Sequence, residues 1–252
     1  LPFNAPKKYW DLYNEKDIEL ASNRYQPKNS PDISMHKYGE LRKYTNIPSD
    51  FNIDVPDSTQ KKLIHGYYAC VSYIDNEIGK LIKHLKKLEI YDNSIIVLWG
   101  DHGWQLGEHN LWAKHCNYQT SLKVPLLIKY PKQKTQKRIR SVVELLDIYP
   151  TLCELSNIDK PNHLQGKSLL TINKLDPENL NGYSKYHKGE TITTIEKSYT
   201  EWRNKDNNYL KANMMYDLVK DPDENTNISK NKKNTPSILK FQYLLDSVRL
   251  LD

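Results

Sequence analysis

Ser94-Ile95-Ile96-Val97-Leu98-Trp99-Gly100-Asp101-His102-Gly103-Trp104 is the stretch on which the fold turns. Ile95 to Trp99 is a continuous apolar run with β-branched residues, the pattern of a strand buried on both faces. Directly after it, Gly100 and Gly103 bracket Asp101 and His102, so the backbone can turn sharply and leave room for something to approach. Open α/β sheets bind ligands just beyond the carboxyl ends of their strands, where side chains converge on the crevice. Asp101 sits at that address. Its carboxylate is a hard oxygen ligand suited to Ca²⁺ or Mg²⁺, whereas the imidazole of His102 is more typical of zinc; the pair favours a divalent metal without choosing one. A bare Asp-His pair is more often a turn cap beside a surface histidine, and it is the position after the strand that favours a ligand site.

Upstream of the strand, Leu63, Ile64, Tyr67, Val71, Ile74, Ile78, Leu81, Ile82, Leu85 and Leu88 recur at three- and four-residue steps. They predict one long amphipathic helix over 58–90, capped by Ser58 or Thr59 and closed by Lys83, Lys86 and Lys87 against the helix dipole. Residues 1–56 are interrupted by prolines and read as an extended segment wrapping a core, with a short helical stretch at Pro6 to Tyr13. Downstream, Val124 to Tyr130 reads as a second strand that Pro125 confines to its start or edge. Asp147 as cap and Pro150 in the first turn open a helix to about Ser156. Beyond Leu170 the texture changes to short strands at Gly182 to Tyr186, Thr191 to Trp202, Tyr209 to Ala212 and Met214 to Leu218. These predict a small antiparallel sheet, followed by a polar turn at Asp221 to Asn225 and a closing helix carrying Ile238, Phe241, Leu244, Leu245, Val248 and Leu251.

The 37 Lys and Arg against 31 Asp and Glu give a net charge of +6, which suits an anionic partner such as a sulfated sugar. No Arg/Lys stripe with interleaved aromatics marks a nucleic-acid face, and no nucleic-acid partner is expected. No apolar run reaches the roughly 18 to 20 residues of a membrane helix. Cys70, Cys116 and Cys153 are odd in number, so at least one is unpaired within this chain, and they show no metal or redox spacing; Cys116, close to Lys114, reads as structural. The sequon Asn227-Ile228-Ser229 matters only in a eukaryotic secretory protein.

Gly100-Asp101-His102-Gly103-Trp104, then Leu106-Gly107-Glu108-His109, Trp112 and Lys114, resembles the C-terminal metal and sulfate motif of sulfatases of the iduronate-2-sulfatase-like kind. The resemblance continues in order through Val124 to Ile128, Asp147 to Leu152, Gln165 to Leu170, Tyr199 to Trp202 and Tyr216 to Glu224. It implies an α/β fold, a partial alkaline-phosphatase-like sulfatase domain over 1–170 with a smaller C-terminal antiparallel-sheet subdomain over 171–252. It also implies roles: Asp101 and His102 on a Ca²⁺ ion, with Mg²⁺ the alternative, Lys114 on a sulfate oxygen or the leaving oxygen, and Trp104 lining the pocket. His115 is a further candidate substrate contact, while His109 is read as ordering its loop; His187-Lys188 is a weaker candidate for the pocket.

The resemblance also defines what the chain lacks. The family's Cys or Ser, matured to formylglycine within a C/S-x-P-x-R pattern, occurs nowhere in the 252 residues. That nucleophile, and the early Asp pair that completes the metal site, are expected upstream of Leu1, so a missing N-terminal half is the expected partner. Three readings follow: a sulfuric ester hydrolase acting on sulfated sugars or glycosaminoglycan fragments, a phosphodiesterase or phosphonate hydrolase on the same frame, and an inactive fragment or binding module. By the same resemblance the protein is expected outside the cytoplasm, whether periplasmic, secreted or lysosomal.

Overall fold

In the computed structural model, which describes residues 3–45, 47–50, 52–133, 138–172, 180–204 and 208–250, the chain opens on a short helix, α1 (Lys7–Trp10), laid against the long α2 (Asp57–Lys87). The contact is aromatic: Tyr9 tilts onto Tyr73 at 5.1 Å between ring centroids and Trp10 onto His65 at 4.8 Å. The expected cap of α2 is not made. Pro56 occupies the N-cap with no side-chain hydrogen bond, and Asp57 in the first turn and His84, Lys86 and Lys87 in the last complement the dipole. The segment between the two helices wraps α2 in short 3-10 turns and places Ile18, Tyr38, Leu41 and Val55 in one core with Ile64.

Two strands follow, β1 (Ile96–Trp99) and, further on, β4 (Leu126–Lys129), paired antiparallel with Ile96 opposite Lys129 and Trp99 opposite Leu126. Between them lie a two-residue hairpin, β2 (Gln105–Leu106) with β3 (Trp112–Ala113), and the short α3 (Gln119–Leu122). β1 is not buried on both faces: Leu98 is 40% and Trp99 48% exposed. The apolar run was read correctly as strand, but among the described residues β4 is its only neighbour, so nothing covers the end of the run.

Then come α4 (Ile148–Leu155) and α5 (Leu169–Ile172). Asp147 does not cap α4 as expected; its carboxylate accepts from the backbone N–H of Glu144 and of Lys167, closing a capping box on the preceding 3-10 turn. The expected subdomain boundary is followed at once by residues 173–179, which lie outside the described residues. The last part is a four-stranded antiparallel sheet in sequence order, β5 (Gly182–Tyr186), β6 (Gly189–Thr193), β7 (Lys197–Arg203) and β8 (Leu210–Asp217), with α6 (Thr235–Arg249) on one face. Ile192, Tyr199 and Met215 meet Phe241 and Leu245 there. The expected strand over 191–202 is therefore two strands, and the two expected over 209–218 are one.

The hairpin β2–β3 locks the two parts together. Trp112 is buried in the core of α2, while its neighbour Leu111 is buried with Cys116, Tyr118, Trp202, Met214 and Tyr216 from the sheet side. Adjacent residues on an extended chain face opposite ways, which lets one short strand serve both cores.

Candidate active site

The site grows from the end of β1. Asp101 is strongly exposed, with 85% of its side chain accessible, and its Oδ1 accepts from the backbone N–H of His102 at 3.1 Å. His102 Nδ1 lies 2.9 Å from the carbonyl of Gly103. A carbonyl only accepts, so Nδ1 donates, and in the neutral imidazole that places the lone pair on Nε2. That lone pair stands 3.5 Å from Asp101 Oδ2. Two acceptors facing each other at this distance form a bite that a cation fills, and the N–H to carbonyl bond behind the imidazole is the usual support for a ligating histidine. The donor set therefore fits a divalent cation. It is incomplete, because hard cations take about six or more ligands, and among the described residues no group of three or more His, Cys, Asp or Glu can hold one.

Trp104 joins the Asp101-His102 pair to Lys114. Its ring stacks near His102 at 6.0 Å and 30°, is met edge-on by Phe3 at 5.8 Å, and lies 5.9 Å beneath the Lys114 ammonium. Lys114 is brought there by β3, whose last residue, Ala113, is left-handed at φ 68° and redirects the chain. His115 follows, its ring stacked on Tyr186 at 5.5 Å and 26°. Tyr186 ends β5, so the β5–β6 hairpin, with His187-Lys188 as its two-residue turn, abuts the site.

All five residues singled out from the sequence thus fall in one region, Asp101 with His102, Trp104 between, Lys114 and His115 beyond. Four more, Glu40, His36, Tyr44 and Tyr186, belong to it that the sequence did not mark. Glu40 lies 3.9 Å from Lys114 Nζ and 3.5 Å from His115 Nδ1. His36, whose Nδ1 accepts from the N–H of Tyr38, is pushed down to about 4 by burial and by His115, and is neutral. Tyr44 is pushed up to about 12 by burial and by Glu40. Glu40 and His36 come from the irregular wrapping segment, where no periodicity points at them; Tyr186 carried only a strand signal.

His109 is not part of the site. It is buried, left-handed at φ 55°, with Nε2 2.8 Å from the Asp223 carbonyl, and it orders the loop. Cys116 is buried among Gln105 and Ser121, and burial raises its thiol, so it is no nucleophile. None of the three cysteines is in a disulfide.

Comparison with known proteins bears on the family and the fold. The sulfatase family model matches residues 2–158, and the model described as N-sulphoglucosamine sulphohydrolase, C-terminal, matches residues 107–250. A sulfatase of Formosa agariphila is 31% identical over 97% of this chain and 47% of its own length; iduronate 2-sulfatase of Homo sapiens is 26% identical over 80% and 50%. A protein solved in complex with its substrate D-glucosamine-2-N,6-O-disulfate superposes with a TM-score of 0.75 at 20% identity, over 98% of this chain and 62% of that one. A phosphonate monoester hydrolase of Silicibacter pomeroyi superposes at 0.78 and 20% identity, over 99% and 53%. At such identities these two establish the alkaline-phosphatase-like sulfatase fold. The chain spans about half the length of these two curated relatives. With a family model over more than half its residues and a relative this similar along nearly its whole length, the chain belongs to the sulfatase family.

Proposed function

We propose that the chain supplies the acceptor side of a sulfuric ester hydrolase acting on sulfated sugars or glycosaminoglycan fragments. The observation that carries this reading is the cluster of Asp101, His102, Trp104 and Lys114: a two-ligand bite whose imidazole stacks near the indole, and an ammonium over the same ring. Asp101 and His102 would hold a Ca²⁺ ion, which when bound supplies a fixed positive charge to sulfate oxygens. Lys114 opposes the negative charge that gathers on the leaving oxygen as the S–O bond breaks. Trp104 walls the pocket where a sugar ring would lie, and His115, backed by Tyr186 from the hairpin, faces the substrate as a polar contact. The nucleophile, formylglycine by family resemblance, and the remaining metal ligands would come from the rest of the polypeptide, and a location outside the cytoplasm goes with that assignment.

The full-length polypeptide carrying this chain tests it. With formylglycine confirmed by mass spectrometry, it is expected to release sulfate from a generic aryl sulfate and from sulfated disaccharides, and to stop when a chelator removes the metal. Absence of release from both substrates sinks the reading. Faster turnover of a phenylphosphonate ester than of the aryl sulfate would move the protein to the phosphonate hydrolases instead.

A further inference from the structure

Among the described residues, Glu40 is the one acid that engages the cationic side of the site. Its carboxylate spans two consecutive residues, Oε1 at 3.9 Å from Lys114 Nζ and Oε2 at 3.5 Å from His115 Nδ1, and only 20% of its side chain is exposed. Among the described residues no other carboxylate pairs with either. The platform beneath it is rigid. Glu40 is the N-cap of the 3-10 turn Leu41–Lys43; Leu41 is buried, and Arg42 donates to the carbonyls of Pro48 and Ile53 at 2.7 and 2.6 Å and lies over the Tyr38 ring.

Lys114 is held differently from an ordinary paired lysine. At 3.9 Å the carboxylate attracts the ammonium without taking a proton in a hydrogen bond, and among the described residues no hydrogen bond takes one. All three N–H donors stay available while the long side chain is restrained between carboxylate and indole. The restraint has a purpose. Lys114 shares Trp104 with His102, so a cation at Asp101 and His102 would repel the ammonium, and the Glu40 carboxylate offsets that repulsion by attracting it.

We infer that Glu40 is a positioning residue of the sulfate site, a carboxylate that keeps Lys114 and His115 aimed at the sulfate group and competes weakly with it for the ammonium. This rests on the sulfatase reading above. Positioning by a competing anion has an unusual signature. Glu40→Gln removes the competitor, so inorganic sulfate should bind the full-length protein several-fold more tightly, while kcat on an aryl sulfate falls about 10- to 100-fold because the ammonium loses its aim. Glu40→Asp keeps the charge and should recover part of kcat.

Calorimetric titration with inorganic sulfate, steady-state kinetics and thermal melts on wild type, Glu40→Gln and Glu40→Asp decide it. Tighter sulfate binding with lower kcat and an unchanged melting temperature supports the inference. Unchanged kcat in Glu40→Gln overturns it, as does a joint loss of sulfate affinity, kcat and melting temperature that Glu40→Asp does not recover, which is what a merely structural residue gives. A wild-type protein without turnover would sink the sulfatase reading alone, since the sulfate titration still separates a competing carboxylate from a structural one.

Discussion

Glu224 is fully buried, and among the described residues no cation pairs with it. Its Oε2 accepts from the backbone N–H of Gln119 at 2.7 Å and its Oε1 from the Ser198 hydroxyl at 2.8 Å. Burial raises its carboxyl from 4.5 to about 7, against those two hydrogen bonds and with help from Asp221. The phenols of Tyr118 and Tyr216, whose ionisation burial pushes far up, stay neutral beside it. Because the folded state holds this proton more tightly than the unfolded chain, its contribution is fully present below about pH 4.5 and is lost as pH rises through about 7. The loss is on the order of 3 kcal/mol. Glu224→Gln keeps an acceptor for Gln119 and cannot ionise, so denaturant unfolding at pH 5 and pH 8 should show a smaller drop for the variant than for wild type. Equal drops would rule out Glu224 as the source. The site has a stake in this, because Gln119 opens α3 five residues after Lys114 and Glu224 ties it to the sheet.

Among the elements, the turn after β1 is the one with least slack. Gly103 donates its N–H to the Ser121 carbonyl at 2.8 Å, and a Cβ there would stand 2.0 Å from the Thr120 carbonyl oxygen. The turn lies flush on α3, so Gly103→Ala must lift it, at a cost of about 1–3 kcal/mol or more. A lowered melting temperature and weakened metal binding are expected together; a variant that melts like wild type contradicts so tight a seat. This turn was legible because its two glycines sit directly behind an apolar run, and α2 because its periodicity is long. The sheet was legible as a sheet but not in its strand ends. Thr194 turns the chain between β6 and β7 with its own hydroxyl, which accepts from Lys197 N–H at 3.1 Å, so neither Gly nor Pro announces the break. Asn213 looked like a break inside β8, but its side chain bonds the Tyr199 hydroxyl across the sheet. Glu40 was illegible for a related reason: a lone acid in an irregular segment acquires meaning only from what folds against it.

At the scale of the whole molecule, the apolar surface is unevenly covered. On α2, Val71, Ile74 and Leu81 are 53%, 56% and 58% exposed, and Leu98, Trp99 and Leu127 add apolar surface on the β1–β4 pair. Sulfated sugars do not call for such surfaces, which instead mark contacts with other polypeptide. The chain by itself should therefore self-associate at micromolar concentration, as light scattering coupled to size exclusion would read. Self-association alone does not say what normally covers the helix, but charge substitution does. Ile74→Lys with Leu81→Lys should make the isolated chain more monomeric whatever the face is for. In the full-length polypeptide the two alternatives part: a free helix face tolerates both lysines within a few tenths of a kcal/mol, whereas a face packed under the rest of the protein loses on the order of 3 to 5 kcal/mol with two apolar side chains gone from cover. A double variant that is stable at full length would leave α2 facing solvent and make the β1–β4 pair the apolar surface that still needs cover.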